Sequence, residues 1–221
     1  MSSNRLELIL DRVAGESEVT VYLGDRGIKV EYSSQLSERL FEQLIIGREY
    51  RYAPYIAARI CGVCSHAHFW ASNLAIENAL GIEVDEATSE LRDVCNKLQI
   101  MENHLVYLMF LAMPDYRVVE PGVVSNTIKT VESLKKALSI LCGRFSGPQP
   151  YIPGGFIKEI NQQHLEKAIK LLEELNPIVE GVVNYVLSNV NPPVVRDPHP
   201  FYLASGSWPR KSVPSKAPYI L

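Results

Sequence analysis

Apolar and polar positions alternate in three short runs at the start of the chain, Leu6–Val13, Glu18–Leu23 and Ile28–Tyr32. A period of two puts one apolar face on a β-strand, and Gly24-Asp25-Arg26-Gly27 between the last two runs reads as a hairpin turn. The pattern predicts a small antiparallel sheet over residues 5–33. After Ser34 the period changes. Leu36, Leu40, Phe41, Leu44 and Ile45 give a helical stripe that Gly47 closes. Pro54 suits the first turn of a short helix, and a longer helix follows to Leu80, stopped by Gly81. Asp85 can cap the next, whose stripe is Leu91, Val94, Leu98, Met101, Leu105, Leu108 and Ala112 before Pro114. Another begins at Pro121, with Val124, Ile128, Val131, Leu134, Leu138 and Leu141 on one face and Gly143 at its end. A Gly/Pro-rich loop spans Ser146–Gly155. Asn161 then caps a last long helix to about Ser188, with a kink expected at Pro177. The fold class is α+β, mainly α: the N-terminal sheet followed by a bundle of long helices over 34–189.

The pattern stops at Asn189. Seven of the chain's 14 prolines lie between Pro192 and Pro218, so residues 190–221 form a Pro-rich extended arm beyond the domain 1–189. Phe201, Tyr202, Trp208 and Tyr219 on this arm are costly to leave in water. The arm either lies on another chain or packs back on its own helices.

Composition removes several function classes. The 221 residues are 47% apolar, with a net charge of −3 and a mean hydropathy of −0.01. Charge of that size and sign argues against nucleic acid or an anionic membrane as the main partner. No apolar run is long enough for a transmembrane segment, and Met-Ser-Ser-Asn-Arg carries no apolar signal core. The expectation is a cytoplasmic protein, associated with a membrane only through partners. Four cysteines do not make a disulfide framework in a chain this size. Cys95 and Cys142 read as small core residues.

Cys61 and Cys64 are different. The decamer Arg59–His68 reads Arg-Ile-Cys-Gly-Val-Cys-Ser-His-Ala-His. Its two thiols can converge on one metal. If a helix begins at or just after Cys61, then Cys61, Cys64 and His68 form one stripe at i, i+3 and i+7. Arg59 can lower a thiol pKa or anchor a neighbouring chain. His68 is either a group beside the metal or a satisfied core histidine. His66 reads as a surface residue, and His104 flanks the apolar stripe of its helix. Two cysteines alone do not close a tetrahedral site, so a redox pair, a zinc site and a shared metal centre all remain open on spacing alone.

The flanks narrow the choice. Arg-x-Cys-Gly-x-Cys-x-x-x-His resembles the first metal-binding motif of nickel–iron hydrogenase large (catalytic) subunits. Glu42-Gln-Leu-Ile-Ile-Gly-Arg48 resembles the segment before it, Ala71–Gly81 the helix after it, and Pro153-Gly154-Gly155 that family's Pro-Gly-Gly turn. The resemblance starts near Arg12 and covers the N-terminal half of such a subunit. It implies reversible oxidation of H2 to protons and electrons at a Ni-Fe centre whose iron carries CO and cyanide. Cys61 would be a terminal nickel ligand and Cys64 a bridge between nickel and iron. His68 would donate a hydrogen bond near the bridging sulfur. Arg59 would face an iron–sulfur small subunit, because this chain has too few cysteines to hold clusters itself. The family's second Cys-x-x-Cys is absent, so it is expected on a separate chain. Departures are plain. Arg12-Val-Ala-Gly-Glu16 stands where the family has a proton-carrying glutamate and a histidine, placing Ala14 and Glu16 there. Asn103 stands where some members have aspartate. The alternatives are a non-catalytic hydrogenase-like scaffold subunit of an electron-transfer complex, and a small zinc or redox protein using Cys61 and Cys64 alone.

Overall fold

The computed structural model describes residues 4–13, 15–25, 27–35, 40–144, 151–156 and 160–191. Ala14, the segment 36–39, residues 145–150 of the Gly/Pro-rich loop, the arm from residue 192 onward and the side chains of Arg12 and Glu16 lie outside that description. The chain divides into two compact units at Ile46/Gly47.

The first unit is the sheet. Strands β1 (Asn4–Val13), β2 (Gly15–Gly24) and β3 (Gly27–Gln35) form an antiparallel meander in that order. The register pairs Leu8 with Val19 and Val19 with Tyr32, and Leu6 with Val21 and Val21 with Val30. Paired residues share a face, so the alternation collects most of its apolar side chains on one side and Glu7, Glu18, Lys29 and Glu31 on the other. Gly24 pairs with Gly27 to close the β2–β3 hairpin, and Gly27 takes a φ of 123° that other residues rarely adopt. A one-turn helix, α1 (Phe41–Ile45), follows Leu40, whose φ of 52° is left-handed. This backbone reversal sets the start of α1 at Phe41.

The second unit is helical. A turn at Tyr50–Tyr52 leads into α2 (Ala53–Ala57), with Pro54 in its first turn. Then come α3 (Ser65–Leu80), α4 (Glu86–Tyr107), α5 (Met113–Asp115), α6 (Pro121–Cys142) and α7 (Gln162–Asn189). Side chains cap the three longest: Asp85 accepts from the Thr88 N–H at 2.9 Å, Glu120 from Val123 at 2.6 Å and Asn161 from His164 at 3.0 Å. Gly81 and Gly143 end α3 and α6 with φ of 65° and 69°. Pro114 does not cut α4 off sharply. A π-turn, Leu108–Ala112, carries the chain into α5, which contains Pro114. The wider turn shifts the hydrogen-bond ladder ahead of a residue that has no N–H to give. Helix α7 runs on through Pro177.

The core sits where α4, α6 and α7 meet, around Leu98, Leu105, Met113, Leu134, Leu138, Leu175 and Val182. Three sequence expectations need correction here. Val94 and Met101 of the α4 stripe are exposed. Ile128 is exposed too, while Thr127 and Thr130 are fully buried. Each threonine hydroxyl donates back to its own helix, to the carbonyls of Val123 and Asn126 at 2.8 and 2.9 Å, so their methyls can pack. Cys95 and Cys142 are not unpaired core thiols. They form a disulfide that ties α4 to α6 across 47 residues of sequence.

Residues 151–156 form a small hairpin, β4 (Tyr151–Ile152) and β5 (Gly155–Phe156), turning through Pro153 and Gly154. Gly154 has a φ of 92°. A buried network clips this turn to the helices. Arg92 of α4 donates to both carboxylate oxygens of Glu77 on α3, at 2.9 and 3.1 Å, and to the carbonyls of Ile152 and Gly155. Glu77 accepts in turn from the Gly154 N–H at 2.8 Å.

Candidate metal centre

Helix α2 delivers the chain to the motif. Pro54, Ala57 and Ala58 are buried, and the turn continues through N–H bonds from Arg59 to Ile56 and from Ile60 to Ala57, at 2.9 and 3.0 Å. Cys61, Gly62 and Val63 then form a loop, and α3 begins at Ser65 with Cys64 as its N-cap. The thiols are therefore not on one helical stripe. Cys64 and His68 stand one turn apart at the start of α3, and Cys61 reaches the same point from the loop. The three side chains still converge. A sulfur of Cys61, a sulfur of Cys64 and a ring nitrogen of His68 all lie within 4.8 Å of one another, and all three residues are half-buried.

Burial, a hydrogen bond with Cys61 and the charge of that neighbour push the Cys64 thiol up to about 11. Two thiols this close cannot both ionise cheaply without a cation between them. Two sulfurs and an imidazole suit a borderline ion such as zinc, nickel or iron, and three donors leave a four-coordinate site one ligand short. The donor set fits a metal shared with ligands from elsewhere.

Cys64 holds the N-cap position of α3, but its side chain makes no capping bond. The cap comes from α4. The side-chain oxygen of Gln99 accepts from the His66 N–H at 2.9 Å, and Asn103, four residues on, donates to the Val63 carbonyl at 3.2 Å. His66, read from sequence as a surface residue, is fully buried. It faces the interior because α3 packs against α4 on that side. Arg59 and His104 are exposed. Gln99 was not legible as part of the site, since its only signal is a polar residue beside the apolar stripe of α4.

The chain is similar to known proteins over the stretch that carries these residues. The family model described as nickel-dependent hydrogenase matches residues 39–135. The chain is 34% identical over 160 residues to the alpha chain of sulfhydrogenase 2 of Pyrococcus furiosus, covering 68% of this chain and 39% of that protein. It is 28% identical over 194 residues to a component of the F420-non-reducing hydrogenase vhu of Methanocaldococcus jannaschii, covering 80% of this chain and 46% of the relative. The chain thus spans less than half the length of the curated relatives it matches. Among solved structures, the fold superposes on an NAD+-reducing NiFe-hydrogenase in the H2-reduced state with a TM-score of 0.73 at 21% identity, over 85% of this chain and 46% of that one. The Ni-Fe-Se hydrogenase from D. vulgaris Hildenborough gives 0.70 at 20% identity, over 85% and 45%.

Proposed function

We propose, for a chain that belongs to the nickel-dependent hydrogenase large-subunit family and matches the N-terminal part of its members, that Cys61 and Cys64 supply two of the four thiolates of a Ni-Fe centre. The convergence of Cys61, Cys64 and His68 inside the matched segment carries this reading. When bound, the centre supplies reversible splitting of H2 into protons and electrons, its iron carrying CO and cyanide.

The residues have distinct tasks in this proposal. Cys61 and Cys64 would hold the centre through their two sulfurs. A thiolate of the pair would serve as the base beside the centre and hold a proton there. The His68 imidazole, within 4.8 Å of both sulfurs, donates a hydrogen bond to that of Cys64 and holds its orientation. Exposed Arg59 faces an iron–sulfur small subunit that takes the electrons. Ala14 has no carboxylate to pass a proton on. The other two thiolates come from a second Cys-x-x-Cys that residues 1–221 do not contain. The assembly works in the cytoplasm and meets a membrane only through partners; no described helix is long and apolar enough to cross one.

The test is the assembled complex. Cys61→Ala or Cys64→Ala is expected to abolish H2-dependent dye reduction and to remove nickel from the purified complex. A native complex that contains no nickel would overturn the proposal in favour of a non-catalytic scaffold subunit.

A further inference from the structure

Helix α4 carries two buried stripes. One is apolar, with Leu98 and Leu105, and faces the helical core. The other is polar: Arg92, Asn96 and Gln99 are 1%, 3% and 5% exposed, and Asn103 continues it at the next turn. Spacings of four, three and four keep these residues on one face. Their partners run the opposite way along the chain. Arg92 meets Glu77 near the C-terminal end of α3, Gln99 meets His66 in its first turn, and Asn103 meets Val63 just before it. The helices α3 and α4 are therefore antiparallel, and their polar seam ends on the cysteine loop.

The seam answers a local conflict. A helix needs acceptors for its first N–H groups, and the N-cap side chain ordinarily provides one. At α3 that position is Cys64, whose side chain makes no capping bond and whose sulfur lies in the converging donor set. The loop before it needs a donor for the Val63 carbonyl, which sits between the two cysteines. Gln99 meets the first need and Asn103 the second, from a helix that the Arg92 network and the Cys95–Cys142 disulfide already fix in place.

We infer that Gln99 and Asn103 are positioning residues for the thiol pair: they hold the start of α3 and the Cys61–Cys64 loop so that both sulfurs meet the His68 ring. This rests on the metal reading of Cys61 and Cys64. Removing an outer hydrogen-bond partner of a ligand-bearing segment typically weakens metal affinity ~10–100-fold. The loss here is one of order, because a frayed first turn releases Cys64 and His68 together.

The experiment uses the full chain, kept anaerobic with the Cys95–Cys142 disulfide intact and Cys61 and Cys64 as thiols, and measures zinc affinity by chelator competition, the thiolate-to-metal absorption of the cobalt(II) form, and helix melting by circular dichroism. Cys61→Ala and Cys64→Ala are expected to abolish zinc binding, which tests the thiol pair itself. Gln99→Leu and Asn103→Leu are expected to weaken zinc by ~10–100-fold and to lower the cobalt–thiolate absorption, with the helical melting midpoint nearly unchanged. Gln99→Glu keeps an acceptor for the His66 N–H and is expected to bind zinc much as the parent does. Wild-type affinity in Gln99→Leu and Asn103→Leu would overturn the positioning role while leaving the thiol pair intact. Gln99→Glu as weak as Gln99→Leu would overturn it also, because the acceptor would then not be what matters. A parent chain whose zinc binding ignores Cys61 and Cys64 would overturn both readings.

Discussion

Replacing Arg92 with methionine removes the buried charge on which α3, α4 and the β4–β5 hairpin converge. Methionine keeps a long apolar stem, so packing beside the Tyr151 ring, 5.3 Å from the guanidinium carbon, is largely kept. What goes is the guanidinium. The carbonyls of Ile152 and Gly155 lose donors at 2.8 and 3.2 Å, and Glu77, 3% exposed, keeps only the Gly154 N–H. Breaking a buried ion pair from one side costs about 3–5 kcal/mol, because the remaining charge stays desolvated. For a chain of this size that is a fall in melting midpoint on the order of 10 °C. Glu77→Leu should cost a similar amount. The double variant should cost less than the sum by about 2 kcal/mol, since neither partner is then left charged and alone. Guanidinium unfolding followed by helical circular dichroism gives the free energies, and amide exchange at Gly154 shows whether the hairpin is released. A loss below about 1 kcal/mol for Arg92→Met, or strict additivity in the double variant, would show that the network is not what holds the hairpin to the helices.

Three further outcomes follow from named contacts. Opening the Cys95–Cys142 disulfide by the double serine variant should destabilise the helical unit by roughly 4 kcal/mol, the chain-entropy value for a loop of about this span, and chemical denaturation of the two proteins should show it. The Asp85 carboxyl lies below its usual range because the Thr88 hydroxyl and N–H donate to it. Its cap therefore stabilises fully above the unfolded carboxylate pKa and is lost as pH falls through the lower folded value. Asp85→Ala should melt earlier than the parent at neutral pH, and the gap should close in acid. Pro177→Ala, at an exposed position inside α7, should raise the melting midpoint, because alanine restores an N–H to the helix ladder and removes a ring clash worth up to about 3 kcal/mol.

Much of this architecture was legible in the chain because its causes are local. Alternation set the three strands and their shared apolar face. Asp85 and Asn161 marked helix starts because their side chains reach N–H groups three residues away, and Gly81 and Gly143 marked ends because a left-handed residue costs glycine little. The decamer Arg59–His68, with its flanks, identified the converging thiols. Tertiary structure alone decided the rest, because those outcomes depend on which helices become neighbours. Nothing near Cys95 or Cys142 says that the fold brings them together across a sequence separation of 47. His66 is buried and Ile128 exposed because α3 and α6 turned those faces toward and away from α4 and α7. Cys61 left the expected helical stripe because the cap fell at Cys64. The bonds that steady that cap come from Gln99 and Asn103, more than 30 residues away. Sequence periodicity shows which residues want the interior, and packing decides which polar group each of them meets there.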